Sequence, residues 1–149
     1  MILPLPDLTA TEKLAQRLVP LLRNGDTVAL EGTLGAGKTT FARALLRVLG
    51  IVGEVPSPTF TLVQLYETKN FGVSHFDLYR LKSSNELDEL GWDDAQAEGV
   101  VLVEWPERAG NRLPNDRLTL RFEMDGNGER QCATETRGTW QERMKDFKP

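Results

Sequence analysis

A glycine-rich loop provides the clearest chemical signal in the sequence. Residues 31–40 read EGTLGAGKTT and match the pattern G-x-x-x-x-G-K-[ST] in full. In such a loop, backbone amides curl around an anion, and the N-terminus of the following helix adds partial positive charge. The lysine reaches the outer phosphates, the first threonine offers a hydroxyl to Mg²⁺, and the second can donate to an inner phosphate. We therefore expect phosphate contacts from one continuous run: Leu34, Gly35, Ala36, Gly37, Lys38, Thr39 and Thr40.

Two acidic residues end runs that have the character of strands. Asp77 follows residues 73–76, and Glu104 follows the continuous apolar run 100–103. A magnesium ion bound to a triphosphate needs a carboxylate from the sheet, and ligands bind at the carboxyl ends of parallel strands. One acid would therefore lie beside the metal, and the other could orient the attacking water. The spacing leaves open which acid has which role, so both are candidate catalytic residues together with Lys38.

Several other residues permit two interpretations. Thr59, in the segment 57–59, either senses a γ-phosphate, as the threonines of switch loops do, or is a turn hydroxyl, and we include it among the candidate catalytic residues. We expect His75 to be a strand residue rather than a base, because Asp77 already fits that role. Trp105 either completes the core or marks a partner surface, and we expect core packing. Three arginines could neutralise phosphate charge, although a surface position is commoner for this residue: Arg80, Arg108 and Arg130.

A strand before the loop and a helix after it must hold the phosphate site in place. Residues 27–30 form a short apolar run of the kind found in buried strands, and apolar residues recur at helical spacing over 41–49. An earlier helix is predicted over 9–22, where Thr9 and Glu12 have the spacing of a capping box. Together these segments predict a helix followed by a strand, loop and helix unit.

The remainder of the chain is predicted to alternate between strands and helices. The predicted elements are a hairpin of residues 59–66 and 73–78, helical segments at 83–90 and 93–98, a buried strand at 100–103, a half-exposed strand at 118–124 that turns back into 130–136, and a final helix from Trp140. Parallel and antiparallel strands with flanking helices are typical of a mixed α/β sandwich. The length of 149 residues suits one domain.

Composition and charge exclude several classes of protein. The net charge is −4, with 18 Lys and Arg residues against 22 Asp and Glu residues, which gives no general attraction to nucleic acid or anionic lipid. One histidine and one cysteine are too few for a Cys/His zinc site, and Cys132 has no second cysteine with which to form an internal disulfide. Because there is no cationic, apolar leader and no long apolar run, we expect no membrane insertion and a cytoplasmic location.

Four motifs in a fixed order resemble one known family. They are GTLGAGKTT, SPTFTLVQLY, HFDLYRL and VEWPER, and the similarity runs from about Leu5 to the last predicted hairpin. Together they resemble the TsaE family, also called YjeE, whose members are small bacterial ATPases that act with TsaB and TsaD in forming threonylcarbamoyladenosine beside the tRNA anticodon. The resemblance implies a P-loop NTPase-like three-layer sandwich, with antiparallel strands added to the sheet, as a single P-loop ATPase domain over residues 1–149.

The resemblance also implies a cofactor, partners and a role for each site residue. It implies Mg-ATP rather than GTP, with slow intrinsic hydrolysis that becomes useful when TsaB and TsaD bind, and contact with tRNA only through that complex. It places Thr39 and Glu104 on Mg²⁺ and Asp77 near the triphosphate. Further residues would lie beside the nucleotide, some of them where the N-terminal segment meets it: Glu107, Arg130, Leu8 and Thr9.

Other nucleotide-dependent functions are compatible with the same loop. A small-molecule kinase would use this loop and metal with a few arginines, although no arginine-rich lid is visible in the sequence. A regulatory GTPase would need a guanine-reading Asn/Thr-Lys-x-Asp segment, and the nearest run, residues 68–71, lacks the aspartate. A nucleotide-binding scaffold without turnover is a further alternative, because a sequence does not separate binding from hydrolysis. We therefore expect an ATPase, with a kinase and a scaffold as the alternatives.

Overall fold

A single mixed sheet forms the centre of the molecule. The computed structural model describes residues 1–56 and 61–148, and the strands within these ranges are β1 (Ile2–Pro4), β2 (Thr27–Glu31), β3 (Val63–Glu67), β4 (Gly72–Asp77), β5 (Gly99–Glu104), β6 (Arg117–Met124) and β7 (Arg130–Arg137). Their order across the sheet is β1-β7-β6-β2-β5-β4-β3. The neighbours from β6 to β4 are parallel, and the other strands pair antiparallel at the two edges. The predicted mixed α/β fold is thereby confirmed.

Helices cover both faces of this sheet. They are α1 (Leu8–Leu18), α2 (Lys38–Val48), α3 (Trp92–Glu98) and α4 (Trp140–Arg143), with short 3₁₀ helices at Val19–Leu21, Ser84–Asp88 and Pro106–Arg112. Along β5, Val100 and Leu102 belong to a core shared with α1, α2 and α4, whereas Val101 and Val103 belong to a core that includes Trp92 of α3. Because successive strand side chains point to opposite faces, the sheet is the middle of three layers. The three-layer sandwich that the resemblance implied is confirmed.

The central strand β2 positions the glycine-rich loop. It pairs in parallel with β5 on one side, where Leu30 is the partner of Glu104, and with β6 on the other, where Glu31 is the partner of Arg121. On the far side of β5, the last residue of β4, Asp77, is the register partner of Glu104. The carboxyl ends of these parallel strands therefore meet at the edge of the sheet from which the loop emerges.

The N-terminal segment differs from its prediction in two ways. The edge strand β1 was not predicted, because it contains only Ile2–Pro4 and its partner is distant in sequence, with Ile2 opposite Ala133 of β7. Helix α1 begins earlier than expected, and its N-cap is Asp7, whose side chain accepts the Ala10 amide at 2.9 Å. The predicted capping box at Thr9 was wrong, because this residue already lies inside the helix.

Two later segments also differ from their predictions. The helix predicted over 83–90 is the shorter 3₁₀ helix Ser84–Asp88, and the Ser83 side chain caps its start by accepting the Asn85 amide. Strand β6 was predicted to be half-exposed, and the alternation is present from Leu120 to Glu123, but Thr119 on the predicted polar face is also buried. The physical reason for the burial of Thr119 is that β6 lies inside the sheet between β2 and β7, and its first half is covered on both faces.

Two further observations concern membrane insertion and the chemistry of the single cysteine. Within the described residues, no helix combines the length and the apolar character needed to cross a bilayer. Cys132 is buried in β7, and burial raises the pKa of its thiol to about 12. The thiol is therefore protonated near neutral pH and is unsuited to act as a nucleophile.

Candidate nucleotide-binding site

The glycine-rich loop connects the end of β2 to the start of α2. Its glycines adopt backbone conformations that other residues rarely take, with φ of 143° at Gly32, 79° at Gly35 and 113° at Gly37. Space is also limited at Gly32, because a Cβ atom there would lie 2.5 Å from the Phe122 carbonyl oxygen of β6. A side chain at this position would displace the loop from the neighbouring strand.

Lys38, the first residue of α2, lies folded against the loop and an aromatic ring. It is 5% exposed, its Nζ donates a hydrogen bond to the Gly32 carbonyl, and the same atom lies 3.6 Å from the centroid of the Trp105 ring. Burial lowers the pKa of Lys38, whereas three neighbouring carboxylates act in the opposite direction. No ion pair to Lys38 is present within the described residues. Its ammonium is therefore available to a phosphate that can replace these two contacts.

Trp105 contributes to the loop as well as to the core. Its φ of 57° is unusual for a residue other than glycine, and it follows directly after the last residue of β5. The ring packs against the core beside α3, as we expected, but it also contacts Lys38 and lies 4.9 Å from the ring of Tyr79, measured between centroids. The core interpretation of Trp105 therefore describes only part of its surroundings.

Glu104 is the centre of a buried polar cluster. Its side chain is nearly inaccessible to solvent, and each carboxylate oxygen has a contact of its own. The hydroxyl of Thr39 donates to Oε1 at 2.8 Å, and Nε2 of His75 lies 2.6 Å from Oε2. The predicted pair of Thr39 and Glu104 is thus brought together, and His75, which we had expected to be only a strand residue, contacts the same carboxylate.

Asp77 lies next to Glu104 at the carboxyl edge of the sheet. It is 4% exposed, and its Oδ1 accepts a hydrogen bond from the Tyr79 amide at 3.0 Å. It lines the same cavity as the loop. The fourth candidate catalytic residue, Thr59, lies outside the described residues.

The oxygen atoms at this edge have the chemistry that Mg²⁺ requires. The hydroxyl of Thr39 and the carboxylate of Glu104 are hard oxygen ligands, and they lie 2.8 Å apart beside the glycine-rich loop. Within the described residues, no group of three or more His, Cys, Asp or Glu side chains could hold a metal ion by itself. Mg²⁺ commonly keeps several waters and binds through one or two protein ligands plus substrate phosphates. The donor set therefore fits Mg²⁺ carried with a nucleotide better than a permanent metal centre.

A cavity of about 300 Å³ brings most of the predicted site residues together. Its lining includes residues from the loop, from the ends of β4 and β5, and from the start of β7. The predicted residues among them are Leu34, Gly35, Gly37, Lys38, Thr39, Thr40, Asp77, Glu104 and Arg130, and the lining also contains Tyr79 and Trp105. The amides and hydroxyls at the start of α2 therefore face the same space as the two acids.

A second cavity of about 380 Å³ continues from the first toward the N-terminus. The two share Thr40 and Arg130, and the Nη2 atom of Arg130 reaches the Gly35 carbonyl at 3.4 Å. Leu8 and Thr11 line the second cavity, whereas Thr9 is not part of its described lining. A ligand bound at the loop therefore has room to extend past Thr40 toward Leu8.

A larger cleft of about 690 Å³ lies on the other side of the loop. It is lined by loop residues, by the end of β6 and by the start of the 3₁₀ helix Pro106–Arg112. The charged residues in its lining are Glu31, Glu107, Arg121 and Glu123. Glu107, which we expected beside the nucleotide, thus lies in this cleft and not in the described lining of the 300 Å³ cavity, which we call the phosphate cavity. Ala36 of the loop likewise lines only the larger of these two spaces.

Two residues near the site were not predicted to belong to it: His75 was expected to be only a strand residue, and Tyr79 was given no role. One signal was present for His75: it lies two positions before Asp77, so both side chains point to the same face of β4. Arg108 was one of the three arginines that could neutralise phosphate charge. In the structure, its guanidinium donates to the Leu81 carbonyl at 3.2 Å instead.

A comparison with protein families decides the affiliation of the chain. The family model described as threonylcarbamoyl adenosine biosynthesis protein TsaE matches residues 5–132. The chain belongs to the TsaE family. The resemblance found in the four sequence motifs is therefore confirmed.

Individual TsaE proteins and one solved structure are similar over most of the chain. The tRNA threonylcarbamoyladenosine biosynthesis protein TsaE of Rickettsia felis is 40% identical over 124 residues, which cover 83% of this chain and 72% of that protein. The protein of the same name from Bacillus subtilis is 37% identical over 124 residues, covering 83% and 77% of the two chains. The crystal structure of Bacillus subtilis YdiB matches with a TM-score of 0.82 and 30% identity, covering 98% of this chain and 91% of that chain. The TsaE assignment thus has support from both sequence and fold.

Proposed function

We propose that this TsaE protein binds Mg-ATP in its glycine-rich loop and hydrolyses it in support of the TsaB and TsaD proteins, which form threonylcarbamoyladenosine in tRNA. Membership of a family described by this biosynthesis supports the biological role. One observation carries the chemistry: the Thr39 hydroxyl and the Glu104 carboxylate lie 2.8 Å apart at the start of the helix that follows the loop.

The residues of the chain have separate tasks in this proposal. The amides of the loop and the N-terminus of α2 bind the phosphates, and Lys38 leaves the Gly32 carbonyl and the Trp105 ring to contact the outer ones. Thr39 and Glu104 hold Mg²⁺, which when bound neutralises charge that develops on the phosphate oxygens. Asp77, adjacent to Glu104 in the sheet, orients the attacking water.

The cavity toward the N-terminus supports an adenine nucleoside as the remainder of the ligand. Thr40 and Arg130 line both cavities, so an inner phosphate beside Thr40 connects the loop to the space next to Leu8. Leu8 is 57% exposed and offers apolar surface to a base. The choice of ATP over GTP follows from the family resemblance and from the missing guanine-reading segment.

Control by partners is supported by what surrounds the phosphate cavity. Its described lining comes from the loop, the start of α2, the residues at the ends of β4 and β5 and the start of β7, and includes no lid segment that would exclude water. The larger cleft beside the loop is acidic, because it is lined by three glutamates and one arginine, Arg121, which already pairs with Glu31 at 3.2 Å. A segment of the TsaB and TsaD pair that carries a basic side chain fits this cleft by charge. We place tRNA contact in the complex, because the chain itself has a net charge of −4.

Steady-state ATP turnover tests this function. The chain should be assayed alone, with TsaB, with TsaD and with both, at a fixed Mg²⁺ concentration, and phosphate release should rise most when both partners are present. A positively charged group supplied by a partner contributes about 10³ to 10⁵ in rate in other phosphoryl-transfer systems. Equal rates in all mixtures, or fast turnover by the chain alone, would contradict partner control.

The same assay separates the two alternatives. A small-molecule kinase would release little free phosphate unless an acceptor were added, and a candidate acceptor would then carry the phosphoryl group. A nucleotide-binding scaffold would bind ATP tightly in calorimetry yet release only trace phosphate in every mixture.

A further inference from the structure

His75 makes a contact that the proposed function does not use. It is fully buried in β4, and its Nε2 lies 2.6 Å from Oε2 of Glu104. We propose that His75 is a positioning residue that holds the Glu104 carboxylate with Oε1 toward Thr39, the orientation in which these two residues would hold a magnesium ion. This inference rests on the proposed Mg-ATP site, and it gives a role to a residue that the sequence analysis expected to be only a strand residue and that is absent from the described lining of the 300 Å³ cavity.

The geometry of the sheet explains how His75 reaches Glu104. The register partner of His75 on β5 is Leu102, two residues before Glu104, and the partner of Glu104 is Asp77, two residues after His75. Side chains two residues apart lie on the same face of a strand, so the imidazole and the carboxylate are diagonal neighbours on one face. Because both elements are strands in the interior of the sheet, the contact is held by rigid backbone.

The carboxylate needs this contact because it is buried. A buried ionised group is costly unless its oxygens accept hydrogen bonds. In the described part of the chain, Thr39 forms a hydrogen bond to Oε1 and His75 forms one to Oε2. Metal binding would use the Thr39 oxygen and Oε1, so the bond to Oε2 is the one that keeps the carboxylate from rotating.

The second ring nitrogen of His75 indicates which nitrogen carries the hydrogen. In the described residues, Nδ1 is buried and has no hydrogen-bond partner. A hydrogen on Nδ1 would therefore be an unpaired buried donor, whereas a hydrogen on Nε2 is donated to Glu104. The contacts thus favour the tautomer with hydrogen on Nε2, which makes His75 a donor to the metal ligand.

His75 does not have the exposure that a catalytic base needs. It has 0% exposed surface and is not part of the described lining of the phosphate cavity. It therefore cannot touch the attacking water, and its effect must pass through Glu104. Contacts to the ligands of a metal typically change metal affinity by about 10-fold to 100-fold when removed.

Three variants separate positioning from general stability. His75→Leu removes the donor, and His75→Gln keeps a donor nitrogen on a flexible side chain. Phe76→Leu is the matched control, because Phe76 is equally buried in β4 but belongs to the core on the opposite face. For each variant, calorimetric ATP titrations at a series of Mg²⁺ concentrations give the concentration for half-maximal binding, and thermal melting gives stability.

The inference predicts different results for these variants. His75→Leu should raise the Mg²⁺ concentration for half-maximal binding about 10-fold or more, and His75→Gln should return it to within about 3-fold of the wild type. Phe76→Leu should lower the melting temperature and leave the Mg²⁺ dependence unchanged. Wild-type Mg²⁺ dependence in His75→Leu, or an equal shift in Phe76→Leu, would overturn the positioning role.

A second readout needs neither metal nor a variant. Long-range ¹⁵N–¹H correlation spectra of the only histidine, in the magnesium-free wild-type chain, report which ring nitrogen carries hydrogen. Hydrogen on Nε2 with a bare Nδ1 is expected, and hydrogen on Nδ1 alone would contradict the inference even if His75→Leu fails to fold. If wild-type ATP binding does not depend on Mg²⁺ at all, the proposed metal site fails and the positioning role fails with it. If wild-type binding depends on Mg²⁺ but His75→Leu does not alter that dependence, only the role of His75 is rejected.

Discussion

The buried carboxylates at the two ends of β2 have different kinds of hydrogen-bond partner. Just before the strand, Asp26 forms a bidentate ion pair with Arg143 of α4, with N···O distances of 2.7 and 2.8 Å. Beside its other end, in the described residues, Glu104 is contacted by a hydroxyl and an imidazole. The ammonium of Lys38 is nearby, but it donates to a loop carbonyl instead.

In the proposed Mg-ATP site, this difference separates a structural carboxylate, Asp26, from the carboxylate to which we assign a function, Glu104. The guanidinium of Arg143 neutralises Asp26 and joins α4 to the residues before β2, and it also donates to the Leu21 carbonyl at 2.9 Å. Glu104 is held by donors without a matching guanidinium, so it retains an attraction for a cation that arrives with a ligand. A buried acid that is oriented by a hydroxyl and an imidazole, with no guanidinium among its described partners, is therefore the feature to look for when seeking a metal ligand.

The largest expected effect is a loss of stability at the end of β2 where Asp26 pairs with Arg143. Arg143→Leu leaves Asp26 buried without its partner, and we expect the free energy of unfolding to fall by about 3–5 kcal/mol. Urea denaturation measures this loss, and ATP affinity of the remaining folded protein should be unchanged. Lys145→Ala is the control, since its pair with Glu142 is exposed and its removal should hardly move the midpoint. A small effect of Arg143→Leu would remove the distinction between the two ends.

The next largest expected effect is a loss of ATP affinity at the other end of β2, where the glycine-rich loop begins. Lys38→Ala should lower ATP affinity by about 100-fold, because a hydrogen bond from a charged donor to the outer phosphates is lost. Stability should change little, because Lys38 has no ion pair in the described residues. Calorimetric titration of ATP into the folded variant measures the affinity. Wild-type affinity would mean that the loop is not the phosphate site.

Conservative changes at the two acids sharpen the comparison further. Glu104→Gln should remove the Mg²⁺ dependence of ATP binding without unfolding the chain, because an amide fits the same space but binds a cation poorly. Asp77→Asn should instead lower turnover in the assembled complex by about 100-fold while changing ATP affinity little. Calorimetry and phosphate release measure the two quantities. Wild-type turnover in both variants would refute the assignment of roles.

The smallest expected effect concerns the acidic cleft. Glu123→Lys should weaken binding to the TsaB and TsaD pair by about 3-fold to 10-fold, because a rim charge opposes a basic partner segment after the change. ATP affinity of the isolated chain should be unaffected. Glu142→Lys makes the same charge change on α4, outside the cleft, and serves as the control. Equal binding by both variants and the wild type would place the partner elsewhere.

Local chemistry explains what could be predicted from the sequence. The loop, the strand before it and the helix after it depend on residues that are close together in the chain, and all three elements were predicted with nearly correct bounds. The two acids were identified because each ends a strand. Their meeting with Thr39 at one edge then follows from parallel pairing of β4, β5 and β2.

The remaining features depend on contacts between distant residues. Strand β1 exists because β7 offers it a free edge, and the three residues of β1 carry no pattern of their own. The burial of Thr119 in β6 follows from the neighbouring strands, which the alternation in the sequence of β6 alone could not indicate. The contact between His75 and Glu104 spans 29 residues and could be inferred only from the register of two strands.

The resting position of Lys38 has a consequence for ligand selection. A molecule entering the loop acquires the ammonium only by replacing a carbonyl bond and a cation–π contact with the Trp105 ring. Adenosine offers no anion in exchange for these two contacts. In the proposed site, a ligand is therefore selected first by the density of its negative charge and only then by its base. An inhibitor of this site needs a compact polyanionic group, such as a bisphosphonate, and an adenine mimic alone would leave the lysine against its ring.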